Sequence, residues 1–229
     1  MKNASRFLVL LAIALNLSLA AAAQETGDGA PAEIPDESSS TEGYFRIDTD
    51  ALSTQLWVGA THDLGGGADL ASDIYVVGTF AELDLGIAFS LGPVSLLPMA
   101  GIGFDFGGSR TASLIAPQLF TIIDLSPIYF ESWIQVFFND MFVEGATDAF
   151  YTRNFILYQA IDALALGPQI ELTYEFKNAA GDELSSLPVG GRVNVEYGEN
   201  NTLGLFLGYE TQADEGPALA GRFTFVRLW

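Results

Sequence analysis

The chain has 229 residues, with 29 Asp and Glu against 9 Lys and Arg, a net charge of −20 and no cysteine. Such acidity disfavours nucleic acid and anionic lipid headgroups as partners. The lack of cysteine excludes a disulfide framework, a thiolate metal centre and a lipid-modified N-terminal cysteine.

Residues 1–23 read as a secretory signal peptide. Lys2 and Arg6 make a basic start, Phe7 to Ala20 is apolar, and Ala21 and Ala23 are small residues at the spacing of a cleavage site before Gln24. The apolar core is short for a membrane anchor. Cleavage removes two positive charges, so the net charge of −20 becomes −22. Residues 24–43, "QETGDGAPAEIPDESSSTEG", hold six acids, no base and two prolines. They read as a disordered acidic leader. The remainder, 44–229, is predicted to be one β-barrel.

The stretch 44–50, "YFRIDTD", is an extra strand or a lead-in. Beyond it, strands are predicted over 53–64, 72–91, 94–106, 115–125, 127–139, 150–162, 166–177, 187–197, 202–211 and 218–229. That gives about ten strands, and a further pair makes twelve. The run 85–104 is uncharged and apolar enough to pass for a membrane helix. Gly92-Pro93 and Pro98 interrupt it and its apolar residues alternate, so it reads as two strands around a tight turn. Short turns at 92–93, 126–127, near 163–165 and at 198–201 alternate with longer loops at 65–71, 107–114, 140–149, 178–186 and 212–217. This is the rhythm of an all-β, up-and-down antiparallel barrel with one smooth and one looped rim.

Period two divides each strand into two faces. Leu83, Leu85 and Ile87 oppose Glu82 and Asp84. Phe130, Ile134 and Val136 oppose Glu131, Trp133 and Gln135. The polar face is rich in Gly, Ser, Thr, Gln and acids. Lys177 is the one lysine after the signal. This suits a packed lumen more than a solvated surface. Phe104, Phe106, Phe138, Tyr174, Phe176 and Tyr209 gather towards the looped rim, and Tyr197, Phe225 and Trp229 towards the smooth rim. Two aromatic girdles are expected where rings meet lipid headgroups.

The final segment "GRFTFVRLW" puts Leu219, Phe223, Phe225 and Trp229 on one face. It resembles the terminal strand of Gram-negative outer-membrane β-barrel proteins. The resemblance implies that Phe223, Phe225 and Trp229 form the signal read by the barrel-assembly machinery. It also implies that Trp229 lies at the periplasmic rim, and that the chain resides in the cell outer membrane amid its lipid. Arg227 departs from the pattern, because a hydrophobic residue is usual third from the end.

The candidate site is the inward polar set. Its acids are Glu82, Asp84, Asp105, Asp124, Glu131, Glu171, Glu175, Glu196 and Glu210. Its bases are Arg153, Arg192 and Arg222, with Gln135, Gln169 and Asn194 among them. Carboxylates outnumber arginines by about six on this assignment, and an excess of buried charge calls for water or cations. The expectation is a narrow passive channel for small cationic or polar solutes, without enzyme activity, metal or cofactor. Trp133, Tyr129, Phe137 and Phe206 obstruct a barrel this narrow, so a plugged structural or adhesive barrel stands beside it. A hydrolase at the looped rim, with His62 near Ser72 and Asp73, is a third reading. A soluble periplasmic barrel for an apolar ligand is a fourth.

Overall fold

The computed structural model describes residues 41–51, 53–107, 112–139, 146–176, 181–213, 216 and 218–229. The predicted signal peptide and most of the predicted leader lie outside the described residues. The chain folds into thirteen antiparallel strands: β1 (Thr41–Asp50), β2 (Thr54–Asp63), β3 (Ala68–Val77), β4 (Phe80–Leu91), β5 (Val94–Asp105), β6 (Ala112–Leu125), β7 (Ile128–Asn139), β8 (Asp148–Ile161), β9 (Leu164–Phe176), β10 (Glu183–Ser186), β11 (Pro188–Tyr197), β12 (Asn201–Glu210) and β13 (Ala218–Leu228). Each strand pairs with its neighbour, and β1 pairs with β13 over Tyr44↔Leu228 to Asp50↔Arg222. The sheet therefore closes as a twelve-stranded barrel. The short β10 continues the β11 side of β9 beyond an irregularity near Leu187. Closure leaves no edge strand, which is what a sheet in hydrocarbon requires.

The count is twelve rather than ten for two reasons. The segment 44–50 belongs to β1. The predicted strand 72–91 is two strands, β3 and β4, joined at Gly78-Thr79, with Gly78 at φ 56°. A tight hairpin needs that left-handed backbone, and glycine supplies it without steric cost. The turn at 92–93 forms as expected, with Gly92 at φ 60°.

These two changes also correct the rims. The connection 64–67 lies at the smooth rim with the carboxyl end of β13, because β2 runs back alongside β1 with His62 opposite Thr41. The turn 78–79 lies at the looped rim. From β4 onward the rims follow the predicted alternation.

The outer face is apolar and open. Leu83, Leu85, Ile156, Leu166, Ile170, Leu205 and Leu207 are all exposed, Leu85 to 56 %. A soluble barrel buries such side chains, so this belt is built for lipid. Polar groups interrupt it at a patch where Ser132 Oγ donates to Asn154 Oδ1 at 2.6 Å and Asn154 Nδ2 donates to Thr152 Oγ1 at 2.8 Å. The patch satisfies itself, which lowers the cost of polar groups in hydrocarbon.

Closure is tightest at Trp229. Its N–H donates to Gly43 O at 3.0 Å, and Gly43 N–H donates to Trp229 O at 2.9 Å. The indole lies against Gly43 so closely that a Cβ there collides with the ring. Gly43→Ala is therefore expected to cost about 1–3 kcal/mol. Urea unfolding of the refolded barrel measures it. Adding Trp229→Ala should make the combined loss smaller than the sum, because the clash is then gone. Strict additivity would show that the ring does not hold the seam.

Candidate functional site

Inward side chains fill the barrel at mid-height. Arg153 on β8 reaches Asp48 on β1, with Nη1 to Oδ2 at 3.1 Å, and lies 3.6 Å from Glu131. Five steps around the ring separate β8 from β1, so this pair spans the lumen almost diametrically. Arg46 donates two hydrogen bonds to Asp48, at 2.8 and 3.1 Å. Arg222 grips Asp50 Oδ2 through Nε and Nη2 at 3.0 and 2.8 Å, and Glu171 through Nη1 at 2.8 Å. Arg192 donates to Asn194 Oδ1 at 2.7 Å and Gln169 Oε1 at 3.2 Å, and lies over Phe155 at 4.4 Å. Gln169 in turn donates to Glu171 at 2.6 Å. Asp48, Arg153, Gln169, Arg192 and Glu171 are all buried. Arg46, Arg153 and Arg222 thus meet four carboxylates in one septum, where charges are tolerable when paired in this way, and amides hold Arg192 beside them.

Aromatic rings complete the septum. Trp133 stacks on Phe120 at 5.3 Å, meets Tyr151 and Trp57 edge-on at 5.2 and 6.3 Å, and carries the Arg153 guanidinium over its face at 5.3 Å. Its Nε1 donates to Gln118 Oε1 at 2.8 Å.

On the opposite wall, Asp73 on β3 and Glu82 and Asp84 on β4 form no ion pair among the described residues. Neutral groups hold them instead. Tyr44 Oη donates to Asp73 at 2.8 Å, Gln135 Nε2 to Glu82 at 2.9 Å, and Gln118 Nε2 to Asp84. Asp73 stands directly opposite Asp84 in the ladder. Gly101 makes their space, since a Cβ there strikes both the Glu82 and the Asp84 carboxylate.

The septum divides the lumen. Above it, towards the looped rim, is a chamber of about 250 Å³ lined by Trp57, Tyr75, Phe80, Trp133 and Phe137 with Glu82, Asp84, Gln118, Gln135 and Asn139. A mouth of about 470 Å³ at the looped rim shares Val77, Phe80, Leu114 and Asn139 with that chamber. Below the septum is a chamber of about 430 Å³ lined by Arg46, Asp124, Glu131, Arg192, Asn194 and Glu196 among others. Among the described residues, none lines both chambers.

The expected residues therefore occupy three levels. Glu131, Arg153, Gln169, Glu171, Arg192, Asn194 and Arg222 meet in or beside the septum, and Glu82, Asp84 and Gln135 line the upper chamber. The others sit near the rims. Asp105 accepts from Thr79 at 3.0 Å in the mouth, Asp124 caps the 126–127 turn, and Glu175 lies at the looped end of β9. Glu196 lines the lower chamber, and Glu210 accepts from Ser186 and the Leu187 N–H. Sequence reading missed Tyr44, Arg46, Asp48 and Asp50, all from the segment read as an extra strand or a lead-in, and Asp73 and Gln118 as wall residues. Among the described residues, the carboxylates without a cationic partner that line or back the upper chamber are Asp73, Glu82 and Asp84 on β3 and β4.

The hydrolase grouping is not assembled. His62 lies at the smooth rim, where its Nδ1 is 3.1 Å from Thr41 Oγ1. Asp73 points inward to Tyr44, and Ser72 has the opposite parity. On the closing strand, Phe225 meets Phe45 edge-on at 6.3 Å, and Arg227 Nη1 donates to Asn201 Oδ1 at 3.3 Å. Trp229 and Phe223 are exposed on the outer surface.

No protein-family model and no curated protein sequence matches the chain. Solved structures do. The NanC porin superposes with a TM-score of 0.52 at 7 % identity, covering 82 % of this chain and 98 % of that one. An outer membrane channel from Pseudomonas putida F1 gives 0.51 at 12 %, covering 89 % and 100 %. The KdgM porin in complex with disordered oligogalacturonate gives 0.50 at 10 %, covering 82 % and 98 %. At such identities the likeness is one of fold. The closed barrel with its apolar outer belt has the fold of an outer-membrane β-barrel.

Proposed function

We propose that the chain is a narrow passive channel for small cationic or polar solutes, with the looped rim facing outside the cell. The observation that carries this reading is the upper chamber, where Glu82 and Asp84, backed by Asp73, lack cationic partners among the described residues. Carboxylates in a low-dielectric wall attract cations and repel anions. On this reading solutes pass the septum only as Trp133 and Arg153 shift. The closing strand, through Phe223, Phe225 and Trp229, is the element offered to the barrel-assembly machinery.

Single-channel recording in a planar bilayer under a salt gradient tests the reading. Small discrete steps with a cation-selective reversal potential are expected. Glu82→Gln with Asp84→Asn should move that potential towards zero. Glu171→Gln should move it less, because Arg222 already compensates Glu171. A second reading, a plugged structural barrel, draws on the buried ion-pair septum. Folded, inserted protein that never conducts would favour it and sink the channel.

A further inference from the structure

We infer that the upper chamber is a binding site for a small organic ammonium ion. The inference rests on the channel reading above and names the solute class of its outer half. Three features converge there. First, aromatic rings line the chamber, with Trp57 and Tyr75 4.7 Å apart and Tyr75 and Phe80 6.2 Å apart; Arg46 lies over Trp57 and Arg153 over Trp133, so Tyr75, Phe80 and Phe137 are the lining rings that carry no guanidinium among the described residues. Phenol and phenyl faces attract a desolvated cation. Secondly, Glu82 and Asp84 present carboxyl groups on the same wall with no cationic partner among the described residues. Behind them Asp73 is only 6 % exposed and accepts from Tyr44. Thirdly, the volume of about 250 Å³ suits a molecule of few heavy atoms, and the chamber shares Val77, Phe80, Leu114 and Asn139 with the mouth at the looped rim.

An inorganic cation would use the carboxylates and gain little from the rings. A neutral apolar solute would use the rings and leave the carboxylates unsatisfied. An alkylammonium ion uses both. The amides of Gln118 and Gln135 already bond Asp84 and Glu82, so they hold the carboxylates in place rather than neutralise them.

The test is calorimetric titration of the full refolded barrel in detergent with choline, and with its neutral isostere 3,3-dimethylbutan-1-ol. Saturable choline binding, with the isostere at least about tenfold weaker, is expected. Glu82→Gln with Asp84→Asn should weaken choline by about tenfold and leave the isostere unchanged. Equal binding of the two probes to the unaltered protein overturns the proposal by showing a merely apolar pocket. Absence of choline binding overturns it too. Neither result depends on the variant folding. Cation-selective conductance with no choline binding would remove the site and leave the channel standing. Choline binding without conductance would do the reverse.

Discussion

Replacing Arg153 with methionine should lower the stability of the barrel by about 3 kcal/mol. The side chain is 1 % exposed and reaches an Asp48 that is wholly buried. Removing one partner of a buried pair leaves the other charge uncompensated, and that usually costs about 3–5 kcal/mol. The lower end applies because Asp48 keeps Arg46 and Glu131 keeps the Tyr129 hydroxyl at 3.0 Å. Asp48→Asn alone should also destabilise, because Arg46 and Arg153 then approach one another without the anion between them. The double variant should lose less than the sum by about 1–3 kcal/mol. Urea titrations of the refolded barrel, read by the heat-modifiable shift on gels, measure all three. Additive losses would mean that the pair is a bystander and that packing around Trp133 holds the septum.

Much of this architecture was written in the alternation of side chains. The faces of β4, β7 and β12 follow directly from period two, because a buried Glu82 beside an exposed Leu83 and Leu85 leaves one possible register. The strand count was harder, and the reason is local. Across Gly78-Thr79 the apolar residues change parity. Ile74 and Val76 are even and exposed, and Leu83 and Leu85 are odd and exposed. A continuous strand keeps one parity, so this slip marks a two-residue hairpin, and Gly78 is its second signal. Reading 72–91 as unbroken hid the slip, and the mistake moved His62 to the wrong rim.

The site was legible residue by residue but not as an arrangement. Parity places Arg153 and Arg222 inside, yet it cannot say which carboxylates they meet. Arg222 bonds Asp50 across 172 positions of sequence, and that contact exists only once β13 closes on β1. The segment 44–50 carried the clue. Tyr44, Arg46, Asp48 and Asp50 share one parity, and Phe45, Ile47 and Thr49 share the other. A single strand with four polar inward groups looks too charged to bury until the opposite wall supplies partners. The surplus on β3 and β4 then becomes visible by subtraction, because the arginines are already engaged on the other side.

Trp133→Ala should enlarge the conductance several-fold and cost about 3–5 kcal/mol of stability. Trp133 touches Phe120, Tyr151, Trp57 and Arg153, and its Nε1 holds the Gln118 that holds Asp84. Removing the indole joins the upper chamber to the septum from above and frees Arg153 of its aromatic face. Phe137, four residues on and nearer the looped rim, lines the upper chamber without entering any of those contacts. Phe137→Ala should therefore widen the chamber and leave the unitary conductance nearly unchanged. The comparison separates a resistance that lies at mid-height from one spread along the lumen. Equal gains from the two variants would place the bottleneck in the chamber as a whole. No gain from Trp133→Ala would mean that the ion-pair layer of Arg46, Asp48, Arg153 and Arg222 blocks passage by itself, and the barrel would then be a plugged scaffold.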